Sequence, residues 1–365
     1  MARRRDRPSH LLQRAAWLAF AAGALHFATR SNRAQSNEMN VQFHTFQDSR
    51  SVTVLSPTID LSKDFTERTS LRLSFGVDAI SAASDSCARC HQEGVNSRRQ
   101  DAGLSVTRKF DDWKLTVGGA YSKENFYRAT TFLTSVTRDL AKGTTTIAGG
   151  YAFSLNQPTL HPTQQIENQY ADNAYATVTQ TLTKTTIGQV GYELGKINGY
   201  QDSPFLRTSV NGVMSLGHVP DTRLRQTFSL RLRQALPANT YLEADYRRYV
   251  DDWQVASNAF NIGLSHDFTP KVLGSFGYRA YDQRGAYFYQ PAYVGPVPQF
   301  FTGDFRLAPF ASGLYTGKIT ITPKESWFRL PAGTALTFQY ERYRADNGFR
   351  AAIFSTGFRI PLGSR

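Results

Sequence analysis

Residues Leu224 to Leu236 alternate between apolar and polar side chains. Leu224, Phe228, Leu230, Leu232 and Leu236 share one parity; Arg225, Thr227, Ser229, Arg231 and Arg233 share the other. Side chains on a strand point alternately to its two faces, so this segment has one oily face and one carrying three guanidinium groups. The pattern recurs. Trp113, Leu115, Val117 and Tyr121 oppose Lys114, Thr116 and Ser122; Leu71, Leu73, Phe75 and Val77 oppose Arg72, Ser74 and Asp78. Ile147, Tyr151 and Phe153 oppose Thr146 and Ala152, Leu336, Phe338 and Tyr340 oppose Thr337, Gln339 and Glu341, and Phe354, Phe358 and Ile360 oppose Ser355 and Arg359. Alternation sustained in segments of about ten residues is the pattern of a transmembrane β-barrel, with lipid against one parity and a wet lumen against the other. A large soluble all-β protein is the competing reading; its strands are shorter and carry fewer terminal Tyr and Trp on the apolar face.

The pattern predicts an all-β fold, an antiparallel barrel of about 16 strands, over 39–47, 51–63, 68–79, 100–110, 112–123, 126–141, 143–155, 171–183, 185–197, 222–236, 239–250, 253–267, 271–282, 310–323, 332–344 and 349–361. The number is even, as expected of single-chain bacterial barrels. Pro57 breaks the parity of the second segment and predicts a bulge there, because proline cannot donate to a ladder. Short connections alternate with long ones at 81–99, 157–170, 198–221 and 283–309. Since periplasmic turns are short and extracellular loops long, both termini come out periplasmic. Thr208–Leu216 has strand character, but counting it would place 283–309 on the wrong side, so it belongs to the outer loop.

Composition sharpens the address. The chain has 25 Phe, 18 Tyr and 4 Trp in 365 residues, yet its mean hydropathy is −0.41. A helical membrane protein needs apolar runs of about 20 residues. The longest run, Ala15 to Ala28, is interrupted by Gly23 and His26 and follows Arg3, Arg4, Arg5, Arg7 and Arg14. A basic stretch before a short apolar one reads as a secretory signal peptide over residues 1–34, leaving 35–365 as the barrel; an uncleaved anchor is the alternative. Export and barrel together predict the bacterial outer membrane, with outer-membrane lipid and the barrel-assembly machinery as partners. Seven arginines against Asp6 account for much of the formal charge of +13, leaving about +7 for the rest. That charge is dispersed and mixed, which is no nucleic-acid stripe.

One motif carries chemistry. Cys87-Ala-Arg-Cys90-His91 is a C-x-x-C-H sequence that uses both cysteines of the chain. In an exported protein this spacing suits c-type haem (haem c), with two thiols for the vinyl groups and His91 as an iron ligand. Two other states fit: a Cys87–Cys90 disulfide stapling the loop, with His91 a bystander, or a metal clip or free thiols. A second axial ligand from the same side would be His218, His161 or Met214; His44 lies near the outer end of the first strand, and His266 sits at a periplasmic turn. Neither a G-x-S-x-G elbow nor an H-E-x-x-H sequence is present, and no enzyme is predicted. Glu243, Asp245 and Arg247 read as a lumen salt-bridge ladder whose partner is the row Arg225, Arg231 and Arg233; these six are the predicted pore-lining residues. Tyr246, Tyr249, Tyr278, Tyr281 and Tyr340 read as interface-belt or pore-rim aromatics.

Three segments carry a resemblance: Phe75-Gly-Val-Asp-Ala-Ile-Ser-Ala-Ala-Ser84, Asp221-Thr-Arg-Leu-Arg225 and Asp245-Tyr-Arg-Arg-Tyr-Val-Asp-Asp-Trp253. They resemble an uncharacterised family of bacterial outer-membrane barrels known as domain of unknown function 3570, over most of residues 39–361. The resemblance implies a barrel and an outer-membrane address, and no activity. The chain is also loosely similar to the barrel component of porin–cytochrome conduits, whose barrels are larger.

Two functions from different classes follow as expectations. In the first, the barrel is a scaffold carrying one c-type haem in an extracellular loop and exchanging electrons with a periplasmic or extracellular cytochrome; one haem cannot bridge a hydrocarbon core about 30 Å thick. In the second, it is a passive porin-like channel for small polar solutes with a disulfide-stapled loop. A structural barrel with a filled lumen is the third reading.

Overall fold

In the computed structural model, residues 37–82, 95–160, 163–203, 206–326 and 330–363 are described. Nineteen strands follow in chain order: β1 (Glu38–Asp48), β2 (Val52–Thr66), β3 (Thr69–Ala82), β4 (Val95–Phe110), β5 (Trp113–Glu124), β6 (Tyr127–Leu140), β7 (Thr145–Pro158), β8 (Gln169–Thr181), β9 (Thr186–Gly199), β10 (Arg207–Val210), β11 (Val213–Leu216), β12 (Thr222–Leu236), β13 (Thr240–Asp251), β14 (Ala256–Thr269), β15 (Val272–Arg284), β16 (Ala292–Tyr293), β17 (Phe310–Ile321), β18 (Ala335–Ala345) and β19 (Arg350–Pro361). Sixteen of them close a barrel in which neighbours are antiparallel and β1 pairs with β19. Closure gives every strand two partners, the condition for placing backbone amides in hydrocarbon. With an even strand count both ends of the barrel sequence lie at one rim, the turn end; the other rim is the long-loop end.

Large apolar side chains stand exposed on the outward parity: Leu224, Phe228, Leu230 and Leu232 on β12, Trp113, Val117 and Tyr121 on β5, Phe338 and Tyr340 on β18. A soluble protein would hide such a band; a bilayer covers it. At the turn end outward cations lie singly over rings. Arg138 sits 4.7 Å from the Trp113 centroid, Arg108 5.8 Å from Phe110 and Lys63 6.0 Å from Phe65.

The structure departs from the sequence reading in two of its predicted features. Leu55↔Ala79 and Thr58↔Gly76 keep one register across Pro57, and the irregularity of this pair falls between Asp64 and Thr66. Pro57 opposes Phe43 of β1 without adding a residue, so the missing N–H interrupts β3 pairing rather than bulging the strand. Second, pairing of β3 with β4 extends to Ala82↔Val95, which shortens the predicted 81–99 loop to 83–94. Thr208–Leu216 stays out of the barrel, as the sequence reading had it, and its strand character appears as an antiparallel hairpin of β10 and β11 that takes β16 as a parallel third strand. The connection 322–334, at the turn end, is also longer than the other turns there.

Candidate functional site: a charged lumen beneath a packed cap

β12 and β13 pair so that Arg231 opposes Asp245, Arg233 opposes Glu243 and Arg225 opposes Asp251. All are on the parity opposite the exposed leucines, and thus face the interior. The Arg231 guanidinium binds the Asp245 carboxylate, Arg233 Nη2 reaches Glu243 Oε1 at 2.9 Å, and Arg247 Nη2 crosses to Glu193 Oε2 on β9 at 2.9 Å. Arg225 Nη2 spans β9 to Asn173 Oδ1 on β8 at 3.3 Å. Gly195 makes that reach possible, since a Cβ there would stand 2.8 Å from Asn173 Oδ1 and 3.3 Å from Arg225 Nε. The six residues singled out in the sequence thus occupy one stretch of interior wall.

The wall is solvated unevenly. Side-chain exposure is 59% for Arg233 and 45% for Glu243, and 39% for Arg247. Interior side chains this exposed are not packed over by other groups among the described residues. Toward the long-loop end packing tightens: Arg223 is 17% exposed and its partner Asp251 0%. Asp251 accepts from Arg223 Nε at 2.8 Å, Tyr249 Oη at 2.7 Å and the Val255 amide at 2.9 Å. The Arg223 guanidinium also lies 4.3 Å from the Trp253 ring centroid, whose Nε1 donates to Thr222 O at 2.9 Å. Two of the sequence segments singled out, Asp221–Arg225 and Asp245–Trp253, therefore meet as one lock at the rim. The sequence reading missed Arg223 and Asp251; their shared interior parity with Arg225 and Tyr249 was the available sign.

A second charged wall was also missed. On β2 to β5 the interior parity carries Asp60, Asp64, Asp78, Asp101 and Glu124 with Arg72, Arg99, Lys109 and Lys114. Arg99 Nη2 binds Asp78 Oδ2 at 2.8 Å, and Arg72 Nη2 binds Asp60 Oδ1 at 3.3 Å. Strand order sets this wall half a circuit from β13 and β14.

Over the long-loop end the connections 200–221 and 285–309 pack together. Val219, Trp253, Val255, Ala286 and Phe288 form a buried apolar cluster, with Tyr249, Tyr289, Phe300 and Leu307 against it. Ser209↔Ala292 and Val210↔Tyr293 join the two connections as a sheet, and Arg50 of the β1–β2 turn lies 5.4 Å from the Phe305 ring centroid. Also in the cap, Asp202 lies within electrostatic reach of Asp304 and Arg306. Burial pushes the Asp202 carboxyl up to about 7, helped by Asp304 and opposed by the Ser203 amide, Arg306 and Arg207. Its Oδ2 is buried without a partner. Gly217 leaves room for it: a Cβ there would stand 2.7 Å from Oδ2 and 3.1 Å from Phe301 O. Arg306 is locked to Asp304, which holds its guanidinium protonated despite burial.

Cys87, Cys90, His91 and His161 lie outside the described residues. His218 is an exposed cap residue whose backbone bridges Phe301, with its ring 5.6 Å from Phe300. Met214 is exposed on β11. The stems of 83–94 leave the barrel across from β13 and β14, at the rim that carries His218 and Met214. His44 faces the interior, with Nδ1 2.7 Å from Ser355 Oγ, and His266 stacks edge-on against Phe268 near the turn end. Tyr249 and Tyr281 face inward; Tyr246, Tyr278 and Tyr340 face out.

The family described as Protein of unknown function (DUF3570) matches residues 90–350. No curated protein matches the chain. Among solved structures, the Pseudomonas aeruginosa outer membrane protein opdK is 8% identical, with 89% of this chain and 97% of that one aligned at a TM-score of 0.48. The CymD monoaromatic hydrocarbon channel is 9% identical over 93% and 92%, also at 0.48. P. aeruginosa OpdL is 9% identical over 89% and 97%, at 0.45. The barrel fold stands on its own strand register.

Proposed function

The chain belongs to the DUF3570 family of proteins of unknown function, and from that starting point we propose that it is an outer-membrane, porin-like channel for small polar solutes. The observation that carries this reading is the half-solvated ion-pair wall Arg231, Arg233, Glu243, Asp245, Arg247 and Glu193. A structural barrel would fill that level with packed side chains; here no other group among the described residues packs over these charges, which face a second charged wall. Partly exposed ion pairs contribute only about 0–1 kcal/mol each to stability, so their presence says more about the fluid they line than about the fold. The cap narrows the long-loop mouth and sets the size limit. An export leader over residues 1–34 completes this reading. The test is single-channel recording of the refolded chain in planar bilayers: discrete ohmic steps are expected, and a silent, fully folded barrel overturns the channel.

The c-type haem reading remains a separate proposal resting on the Cys87-x-x-Cys90-His91 sequence. Its measurement is the mass of the denatured protein exported by its native host. An added haem that disappears in Cys87→Ala with Cys90→Ala supports it, with a cytochrome as the electron-transfer partner; a polypeptide mass less two hydrogens assigns a disulfide.

A further inference from the structure

Two outward-facing rungs at the long-loop end set like charges directly opposite each other. On the first, Lys123 faces Arg128 across the β5–β6 hairpin, flanked by Gln100 of β4 and Gln157 of β7. Arg98, two residues further along β4, shares that face. On the second, Arg344 faces Arg350 across β18–β19, with Gly313 of β17 alongside and Arg342 one rung below. Arg98, Lys123, Arg128, Arg344 and Arg350 are all exposed. Among the described residues, no carboxylate forms an ion pair with any of these six. The neighbouring carboxylates are otherwise placed. Glu124 is buried on the interior parity, and Asp346 accepts from the Ala311 amide at 2.9 Å.

Like charges directly opposite on a sheet destabilise it, so two such rungs ask for a counter-charge. Their height says which. Tyr121 lies one rung below Lys123, and Tyr315 is paired with Arg342; outward aromatics of this kind sit at the headgroup level. The opposite rim is built differently: its outward strand cations Lys63, Arg108 and Arg138 each lie over a ring, and none of them faces another cation across a strand pair. The anion therefore belongs to one leaflet.

We propose that these rungs bind phosphate groups of anionic lipid in the leaflet at the long-loop end, one headgroup to each rung. Arginine's planar fork suits paired phosphate oxygens, and clustered basic residues at a membrane surface recognise phosphorylated headgroups. The proposal rests on the outer-membrane reading, in which this leaflet faces outward. It is independent of whether the lumen conducts.

The experiment uses the full-length chain in neutral detergent, titrated with a bisphosphorylated glucosamine-disaccharide lipid and followed by native mass spectrometry. Saturable adducts are expected. Lys123→Gln with Arg128→Gln should weaken those at its rung roughly 10- to 30-fold, and Arg344→Gln with Arg350→Gln likewise. Each pair is made separately, and heat-modifiable gel migration verifies that the barrel is folded. Equal adducts in folded variants, or equal binding of the same lipid without its phosphates, overturn the proposal. Displacement by millimolar inorganic phosphate overturns the lipid source and leaves a free-anion site. Conductance of the same preparations reports on the channel separately, so loss of one reading does not carry the other with it.

Discussion

A single step along β12 carries the chain from lipid to water. Leu230 stands exposed on the outward face and Arg231 binds Asp245 on the inward one. Leu230→Arg sets an unpaired charge in the bilayer, at a cost of about 2–4 kcal/mol near the midplane, and should impair assembly as read by heat-modifiable migration. Arg231→Leu leaves Asp245 beside open lumen, where water solvates it, and the barrel should still assemble. Equal assembly of both variants would mean that the two faces are exchanged. Asp251 presents the opposite case, because its fully buried carboxylate satisfies Arg223, Tyr249 and the Val255 amide at once. Asp251→Ala strands a buried guanidinium, and breaking such a pair costs about 3–5 kcal/mol. Chemical denaturation followed by Trp fluorescence, with Trp253 inside the affected lock, should show a loss of that size.

Barrel strands and cap segments obey different physics, which is why one was legible in the sequence and the other was not. Strand β12 is readable residue by residue, because period-2 alternation is imposed on each strand by lipid on one side and water on the other. Its boundaries, Thr222 and Leu236, match the sequence reading. The cap has no such solvent pair. Its strands have two to four residues, and Ser209↔Ala292 joins segments far apart in sequence, so no local period announces it. The buried carboxyl of Asp202 was invisible for the same reason, its environment being assembled from 285–309. Its folded value of about 7 lies above the ordinary aspartate value of 3.8. The folded cap therefore binds more protons than the unfolded one between those values, and cap stability falls as pH rises from about 4 to 7. Asp202→Asn keeps an oxygen for the Ser203 amide and removes the charge. Limited proteolysis of 200–221 should be faster in the parent at pH 8 than at pH 5, and the variant should lose most of that difference. A pH response that persists in the variant would assign the effect to another group.

At the scale of the whole molecule the lumen has two unlike walls. Between β9 and β15 the interior parity carries Arg223, Arg225, Arg231, Arg233, Arg247 and Arg279 against Glu193, Glu243, Asp245, Asp251 and Asp267; between β2 and β5 it carries Asp60, Asp64, Asp78, Asp101 and Glu124 against Arg72, Arg99, Lys109 and Lys114. The excess is positive on one side and negative on the other. Strand order places these excesses across the bore from each other, so a solute crosses a transverse field, and low-dielectric walls focus such fields. In the positive wall the cations are the more solvated partners, Arg233 at 59% side-chain exposure against 45% for Glu243, while on the other wall Asp60 is at 17% and Asp78 at 10%. Mobile ions therefore meet accessible cations before accessible anions, and weak anion preference is expected. Arg231→Gln with Arg233→Gln leaves Glu243 and Asp245 facing the bore unpaired. The reversal potential in a salt gradient should then move toward the cation side, most at low ionic strength where screening is least. Removing both arginines without any change in reversal potential would show that the conducting path does not pass this wall.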